Sequence, residues 1–297
     1  MHLGKNVSTA LKGFFMGAAN IVPGVSGGTI ALISGIYGEL IGALDAIMSV
    51  STWKLLAAGE WRKFRDTIHG TFLLSLSIGV GISVFSLAKL MTTCLTLHPI
   101  QTWAFFFGLI AASAAVMLKD IKGWDAKAAA FTAAGVILGV VTCTLSPTRT
   151  TDELWFIFIC GAIAVCTMIL PGISGSFILV ILGKYDYVME AIGSLDWPVL
   201  AVFALGCAAG ILAFAKCLHW LLDKWEKETM LVLVGFVIGS LVKVWPWNDK
   251  AALETAQRLR TGTDAALDLQ IPGAVLWCIA GIALIAVIEV WKGLSRR

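Results

Sequence analysis

Long runs of apolar residues, separated by short polar segments, dominate the hydropathy pattern of the chain. A helix needs about 20 predominantly apolar residues to cross the hydrocarbon core of a bilayer. Six runs come close to that length and continue without a break near their middle. They predict spanning helices at 71–91, 101–118, 128–146, 198–222, 229–245 and 272–291.

Two further apolar regions, 9–48 and 154–192, are each interrupted near the middle by a proline that is followed by a glycine. Proline ends a helix and glycine leaves the backbone open, so the interruption frees amide and carbonyl groups from their helical partners. Only protein or a watery cavity can satisfy such groups at membrane depth. Each region therefore predicts a broken or re-entrant helical hairpin.

The second half of the chain repeats the first. The sequence PGVSGG at 23–28 recurs 148 positions later as PGISGS at 171–176. An insertion in the first half then shortens the offset to 127, which aligns Gly79 with Gly206 and Lys89 with Lys216. The sequence thus predicts two repeats, 1–148 and 149–297, each consisting of a hairpin and three spanning helices.

Composition and charge indicate how these repeats lie in a membrane. The chain is 58% hydrophobic and 14% charged, with a mean hydropathy of +0.87, whereas soluble domains are about 25% charged. A hairpin crosses an even number of times and three spans an odd number, so the second repeat is inserted upside down. We therefore predict an all-α polytopic membrane protein with two inverted repeats. Most Lys and Arg residues fall in the segments on the same side of the membrane as the N-terminus. Because cytoplasmic segments carry the excess of Lys and Arg, this predicts cytoplasmic N- and C-termini.

Paired helix interruptions in two halves of one chain are typical of the binding site of a transporter. Residues after each proline begin a new helix whose first amides lack partners, and hydroxyl groups nearby extend that set of donors for an anion. A packing kink is the plainer interpretation, since glycine and proline are common in membrane helices. Two matching copies favour a site, and its candidates are Asn20, Pro23, Gly24, Ser26, Gly27, Gly28, Thr29, Pro171, Gly172, Ser174, Gly175 and Ser176.

Charged residues inside or near the apolar runs add further candidates. Lys89 and Lys216 occupy equivalent positions and either supply fixed cations to the site or extend to the lipid headgroups. Glu39 is a candidate carboxylate for ion coupling, with an interfacial position as the alternative. Arg62 and Arg65 belong to a basic amphipathic stretch that either gathers anionic headgroups or only fixes the topology.

Other kinds of function find little support in the sequence. The four histidines are scattered near loops and termini, without the nucleophile and base that an enzyme requires. The seven cysteines form no CxxC pair, and no histidine stands at metal-ligand spacing, so no metal site is expected. No GxxxxGK[ST] sequence is present to bind ATP. The net charge of +3 reflects topology and does not indicate nucleic-acid binding.

Two long motifs surround the interruptions: GFFMGAANIVPGVSGGTIALISGIYGEL at 13–40 and, in a weaker form, MILPGISGSFILVILGKY at 168–185. They resemble the bacterial polyprenyl-phosphate transporter family, formerly a domain of unknown function, and the resemblance extends over nearly the whole chain. It implies recycling of undecaprenyl phosphate, the lipid carrier of cell-wall precursors, from the outer to the inner leaflet of the cytoplasmic membrane. It also implies a headgroup site at 23–29 and 171–176, although Ser176 and Phe177 stand where the first copy has Gly28 and Thr29.

The isoprenoid tail of such a substrate stays in lipid, because each buried methylene is worth about 0.8 kcal/mol. We therefore expect alternating access for the headgroup alone, with a proton or sodium gradient as the driving force and no bound cofactor. The bilayer and the lipid substrate are the expected partners, and the sequence indicates no oligomeric state. An anion or small-metabolite channel or secondary transporter is the alternative, because it could use the same broken helices.

Overall fold

A computed structural model describes residues 2–21, 26–148, 150–262 and 267–295 of the chain. Every regular element in these ranges is a helix, which confirms the predicted all-α fold. The first half forms α1 (His2–Ile21), α2 (Gly27–Ile33), α3 (Tyr37–Met48), α4 (Val50–Ala57), α5 (Trp61–Thr67), α6 (Gly70–Leu97), α7 (Pro99–Asp120) and α8 (Ala126–Thr144). The second half forms α9 (Leu154–Ile169), α10 (Gly175–Ile181), α11 (Tyr185–Ser194), α12 (Trp197–Lys224), α13 (Glu226–Ser240), α14 (Lys250–Thr261) and α15 (Ile271–Ser295).

Helix bounds recur between the two halves of the chain. α2 and α10 each have 7 residues, and their first residues lie 148 positions apart. α6 and α12 each have 28 residues, and their first residues lie 127 positions apart. The repeat in the sequence is therefore also a repeat of secondary structure. The inverted orientation of the repeats, and their division at residue 148, stay predictions.

Each hairpin contains a second break that the hydropathy pattern did not predict. α2 and α3 are separated at Gly35, and α10 and α11 are separated at Gly183. These glycines have φ angles of +71° and +64°, a left-handed conformation that glycine adopts without the steric penalty of a Cβ. The arm that follows each proline is therefore two short helices, a detail that the predicted hairpins did not include.

One other boundary differs from the predicted one, and the insertion of the first half adds helices that were not predicted. α13 ends at Ser240, so the predicted span at 229–245 is too long at its C-terminal end. Residues 241–244 form tight turns, with the Lys243 amide donating to the Ser240 carbonyl oxygen at 2.9 Å, and Pro246 follows. The polar insertion of the first half forms the short helices α4 and α5.

Several of these helices have the length and surface of membrane spans. α6, α7, α8 and α12 are long and apolar enough to cross a bilayer, and α3 with α4 would form a fifth span bent by 63°. On α6, Leu74, Ile78 and Phe85 are exposed while Phe72 and Leu76 are buried. One face of the helix thus packs on protein and the other presents large apolar side chains, as lipid requires. The chain is a multi-pass membrane protein.

The fold has two compact units, of which unit 1 contains Met1–Phe85 and Leu145–Met230. Both hairpins lie in this unit, where α1 packs on α6 and α9 packs on α12. Glycines allow the close approach: a Cβ at Gly79 would overlap the Ala10 carbonyl oxygen, and one at Gly206 would overlap the Phe158 carbonyl oxygen. Small residues at helix contacts are the usual means of tight packing in membranes.

Unit 2 contains Ser86–Thr144 and Leu231–Arg297. Here α7 packs on α15 at Gly108 and Gly281, and α8 packs on α13 at Gly135 and Gly235. Each of these pairs joins a helix from the first half of the chain to one from the second. The compact units therefore divide the chain differently from the sequence repeats, because unit 2 interleaves the two halves.

The glycine packing predicts a position-dependent cost of adding one methyl group to α6. Gly79→Ala should lower the free energy of unfolding by about 1–3 kcal/mol, because the methyl group meets the backbone of α1. Gly81→Ala is the matched control, since nothing lies within 4 Å of a Cβ there. Thermal unfolding of the purified protein in detergent measures both, and equal midpoints for the two variants would contradict the packing.

Candidate functional site

The first tip is the interruption between α1 and α2, of which Pro23 and Gly24 lie outside the described residues. Ser26 caps α2: its side-chain oxygen accepts a hydrogen bond from the Gly28 amide at 3.1 Å. The Asn20 side-chain oxygen accepts from the Gly27 amide at 2.7 Å. The first amides of α2 are thus already bonded to protein, as helix capping requires.

The second tip, residues 168–177, is built on the same plan with different side chains. Ser174 caps α10 by accepting from the Phe177 amide at 3.3 Å, and its hydroxyl lies 2.7 Å from that of Ser176. Met168 stands at the position of Asn20, and a Cβ at Gly175 would lie 2.7 Å from the Met168 Cγ. An apolar contact thus replaces the amide contact of the first tip.

The two tips touch each other inside unit 1. The Ser26 hydroxyl donates to the Leu170 carbonyl oxygen at 3.1 Å, and the Gly172 amide donates to the Thr29 hydroxyl oxygen at 2.8 Å. Gly28 makes this approach possible, because a Cβ there would lie 2.6 Å from the Ile169 carbonyl oxygen. Two interruptions 148 positions apart in sequence are therefore bonded to each other. We call this contact, of residues 26–29 with residues 169–172, the joint of the tips.

Tyr37 adds a third bond to this joint, and the sequence analysis did not assign it a role. Its hydroxyl donates to the Ile169 carbonyl oxygen at 3.1 Å, and the side chain is buried. The sequence does show that Tyr37 aligns with Tyr185 at the offset of 148, and each tyrosine begins the helix after the second break of its hairpin. That alignment marks a repeated residue, but it cannot show which backbone group the hydroxyl meets.

The joint separates the candidate anion-binding residues into two sets. Ser26 and Thr29 are 2% and 1% exposed, and both hydroxyls are bonded within the protein. Asn20 and Ser176 are exposed, and Ser174 is half-buried. Anion binding by any of these residues stays a prediction, but only the second set presents polar atoms at the surface of the joint.

A polar clamp holds the end of α10, and sequence reasoning missed it. The Thr148 amide donates to the Ile181 carbonyl oxygen at 2.9 Å, and the Thr150 hydroxyl donates to that of Leu182 at 2.6 Å. Lys184 is 3% exposed; its ammonium group donates to the Thr150 carbonyl oxygen at 3.0 Å and pairs with Asp152. The loop before α9 therefore satisfies carbonyl groups that the second break leaves open.

Glu39, the candidate coupling carboxylate, lies between two basic groups. Its Oε1 atom is 3.7 Å from Lys5 Nζ and 3.7 Å from His69 Nδ1. The Glu39 side chain is 30% exposed, so water reaches it. α12, which packs against α3, carries His219 and Asp223, whose Nε2 and Oδ2 atoms are 3.4 Å apart. Ionisable side chains of α1, α12 and the segment before α6 thus lie near α3.

The remaining basic candidates lie on helix surfaces. Lys89 and Lys216 are both exposed on their helices, and they belong to different compact units. Arg62 and Arg65 are exposed on α5, where Arg65 bonds Asp66 at 3.1 Å. Delivery of cations to the site, and the gathering of headgroups by α5, both stay predictions. In the parts of the chain that the structure describes, no cluster of His, Cys, Asp and Glu could hold a metal ion.

Comparison with known proteins places the chain among transporters. A "Polyprenyl-phosphate transporter" of Vibrio cholerae is 42% identical over 245 residues, which cover 82% of this chain and 79% of that relative. A protein of the same name from Staphylococcus aureus is 34% identical over 254 residues, which cover 80% of this chain and 85% of the relative. No solved structure matches the chain. The profile of one family matches residues 16–261, and the chain therefore belongs to that VCA0040-like family, described as undecaprenyl phosphate translocase-like.

Proposed function

We propose that the chain carries a polyprenyl phosphate, undecaprenyl phosphate in particular, between the two leaflets of the bacterial cytoplasmic membrane. The observation that carries this proposal is the joint of the two tips, in which side chains of one interruption bond the backbone of the other. Broken helices that meet within a chain of apolar helices provide a polar path through an apolar medium. Family membership and the names of the relatives support the lipid phosphate as the substrate.

The headgroup passes at the joint while the tail remains in lipid. The exposed Asn20 and Ser176, together with Ser174, offer amide and hydroxyl donors without a fixed charge. Such donors let a hydrated phosphate bind and leave, whereas a site that dehydrates the anion would cost much more than a few hydrogen bonds return. Passage from the outer to the inner leaflet would return the lipid carrier for another round of cell-wall synthesis.

An inside-negative membrane potential opposes the inward movement of an anion, at a free-energy cost of about 2.3 kcal/mol per charge per 100 mV. Coupling to a proton or sodium gradient offsets this cost. Glu39, held between Lys5 and His69, is the carboxylate proposed to carry the coupling proton. In this proposal both termini lie on the cytoplasmic side, and the exposed Arg62 and Arg65 lie near the anionic inner leaflet.

The function is tested with purified protein in liposomes that carry polyprenyl phosphate in one leaflet. The wild-type protein should move the lipid to the other leaflet. Gly28→Ala should slow that movement by about 5- to 150-fold, because the added methyl group meets the Ile169 carbonyl oxygen and overpacking costs about 1–3 kcal/mol. Gly38→Ala, with nothing within 4 Å of its Cβ, is the control and should transport normally.

Passage of soluble phosphate by the wild-type protein, with the lipid remaining in its original leaflet, would contradict the lipid substrate and favour an anion channel. Equal transport by Gly28→Ala and Gly38→Ala would contradict passage at the joint of the tips.

Coupling is tested by Glu39→Gln in the same liposomes, with an imposed pH gradient in one series and a sodium gradient in another. The variant should lose the stimulation by the pH gradient, because the amide cannot take up and release a proton. Leaflet exchange without a gradient should continue. Asp45→Asn, on the same helix, is the matched control, and a wild-type pH response in Glu39→Gln would show that the coupling group lies elsewhere.

A further inference from the structure

Three hydroxyl groups from the first half of the chain bond three backbone groups around Pro171. Tyr37 donates to the Ile169 carbonyl oxygen, Ser26 donates to that of Leu170, and Thr29 accepts from the Gly172 amide. The distances between donor and acceptor atoms are 3.1, 3.1 and 2.8 Å. The three side chains are buried, so water does not compete for these bonds.

The bonded groups are those that the interruption leaves without helical partners. α9 ends at Ile169, and the chain then turns at Pro171, so the last carbonyl groups of α9 have no amide one turn further on. An unpaired backbone group buried in an apolar environment is costly. The first half of the chain thus supplies the partners that a continuous α9 would have found in itself.

The equivalent side chains of the second half differ, and the backbone groups equivalent to those of Leu170 and Gly172 lie outside the described residues. Ser174, the equivalent of Ser26, pairs with Ser176, and Phe177 has no hydroxyl at the position of Thr29. Tyr185, the equivalent of Tyr37, is 37% exposed.

We infer that Ser26, Thr29 and Tyr37 are positioning residues, which hold the backbone of the second tip in the shape that passes the headgroup and do not contact the headgroup themselves. The inference rests on the proposed function and changes the assignment of Ser26 and Thr29 within it. The three side chains are at most 3% exposed, so a phosphate does not reach their hydroxyl groups. Ser176, in contrast, is exposed and Ser174 is half-buried.

Amide hydrogen exchange in lipid nanodiscs tests, without any substrate, whether these hydroxyl groups fix the backbone of the second tip. Leaflet transport tests whether that fixed shape is needed for passage of the headgroup. In Thr29→Val and Tyr37→Phe, exchange in the peptide 170–177 should accelerate by about tenfold, the effect of losing one buried hydrogen bond. Leaflet transport should slow in the same variants. Thr29→Ser retains the acceptor oxygen and should restore both wild-type exchange and wild-type transport. Tyr185→Phe is the matched control and should change neither.

Accelerated exchange with slowed transport, both reversed in Thr29→Ser, supports the inference. Slowed transport with wild-type exchange would overturn it, because the hydroxyls would then act on the substrate directly. Accelerated exchange with wild-type transport would also overturn it, since the shape of the tip would not matter for passage. If the wild-type protein moved no polyprenyl phosphate, the proposed function would fail, while the exchange data would still decide whether the hydroxyls hold the tip.

Discussion

Backbone groups freed by a proline inside an apolar chain need hydrogen-bond partners, and this requirement shapes the region around the two tips. Lipid supplies no partner, and an unpaired amide or carbonyl group there costs several kcal/mol. Side chains from the other half of the chain provide the partners: Ser26 and Thr29 form hydrogen bonds with the backbone on either side of Pro171. The second interruption thus takes its partners from the first half, and both hairpins lie in one compact unit.

Close helix packing keeps that joint in place. α9 meets α12 and α1 meets α6 at glycines, which bring the helix backbones nearer than any side chain would allow. The clamp formed by Thr150 and Lys184 fixes the far end of α10. The second tip is therefore held at its start by hydroxyls of the first half and at its end by the loop before α9. A binding surface needs such support in order to keep its donors aimed at a passing ligand.

Much of the fold follows from the sequence, because hydropathy and repetition are properties of the chain itself. The offset between Gly79 and Gly206 predicts the equal lengths of α6 and α12. The breaks at Gly35 and Gly183 were missed, since an apolar run conceals a turn that depends on one glycine conformation. The span predicted at 229–245 extends past the end of α13, because the residues that form tight turns after Ser240 are still mostly apolar.

The sequence indicates where the chain is interrupted, but it does not show how the two interruptions are bonded. Proline and glycine at matching positions indicate where the backbone opens, and the structure brings Ser26 and Thr29, which follow the first proline, to the backbone on either side of Pro171. The pattern cannot show that the Thr29 hydroxyl is occupied by the Gly172 amide, or that Tyr37 reaches Ile169 from 132 positions away. Partners of that kind are chosen by tertiary contact. Lys184 was equally hidden, because its burial beside Asp152 depends on a loop that no periodicity describes.

The joint of the tips is tested most directly by a cross-link between Ser26→Cys and Leu170→Cys, in a chain whose seven native cysteines are replaced. The Ser26 hydroxyl oxygen and the Leu170 carbonyl oxygen lie 3.1 Å apart, so both positions are within reach of one short, membrane-permeant bis-maleimide, which should join the two cysteines within one chain in a lipid bilayer whatever the direction of the Leu170 side chain. Mass spectrometry should then find the linked peptides. No link, although each single-cysteine variant reacts with a membrane-permeant maleimide, would contradict the joint.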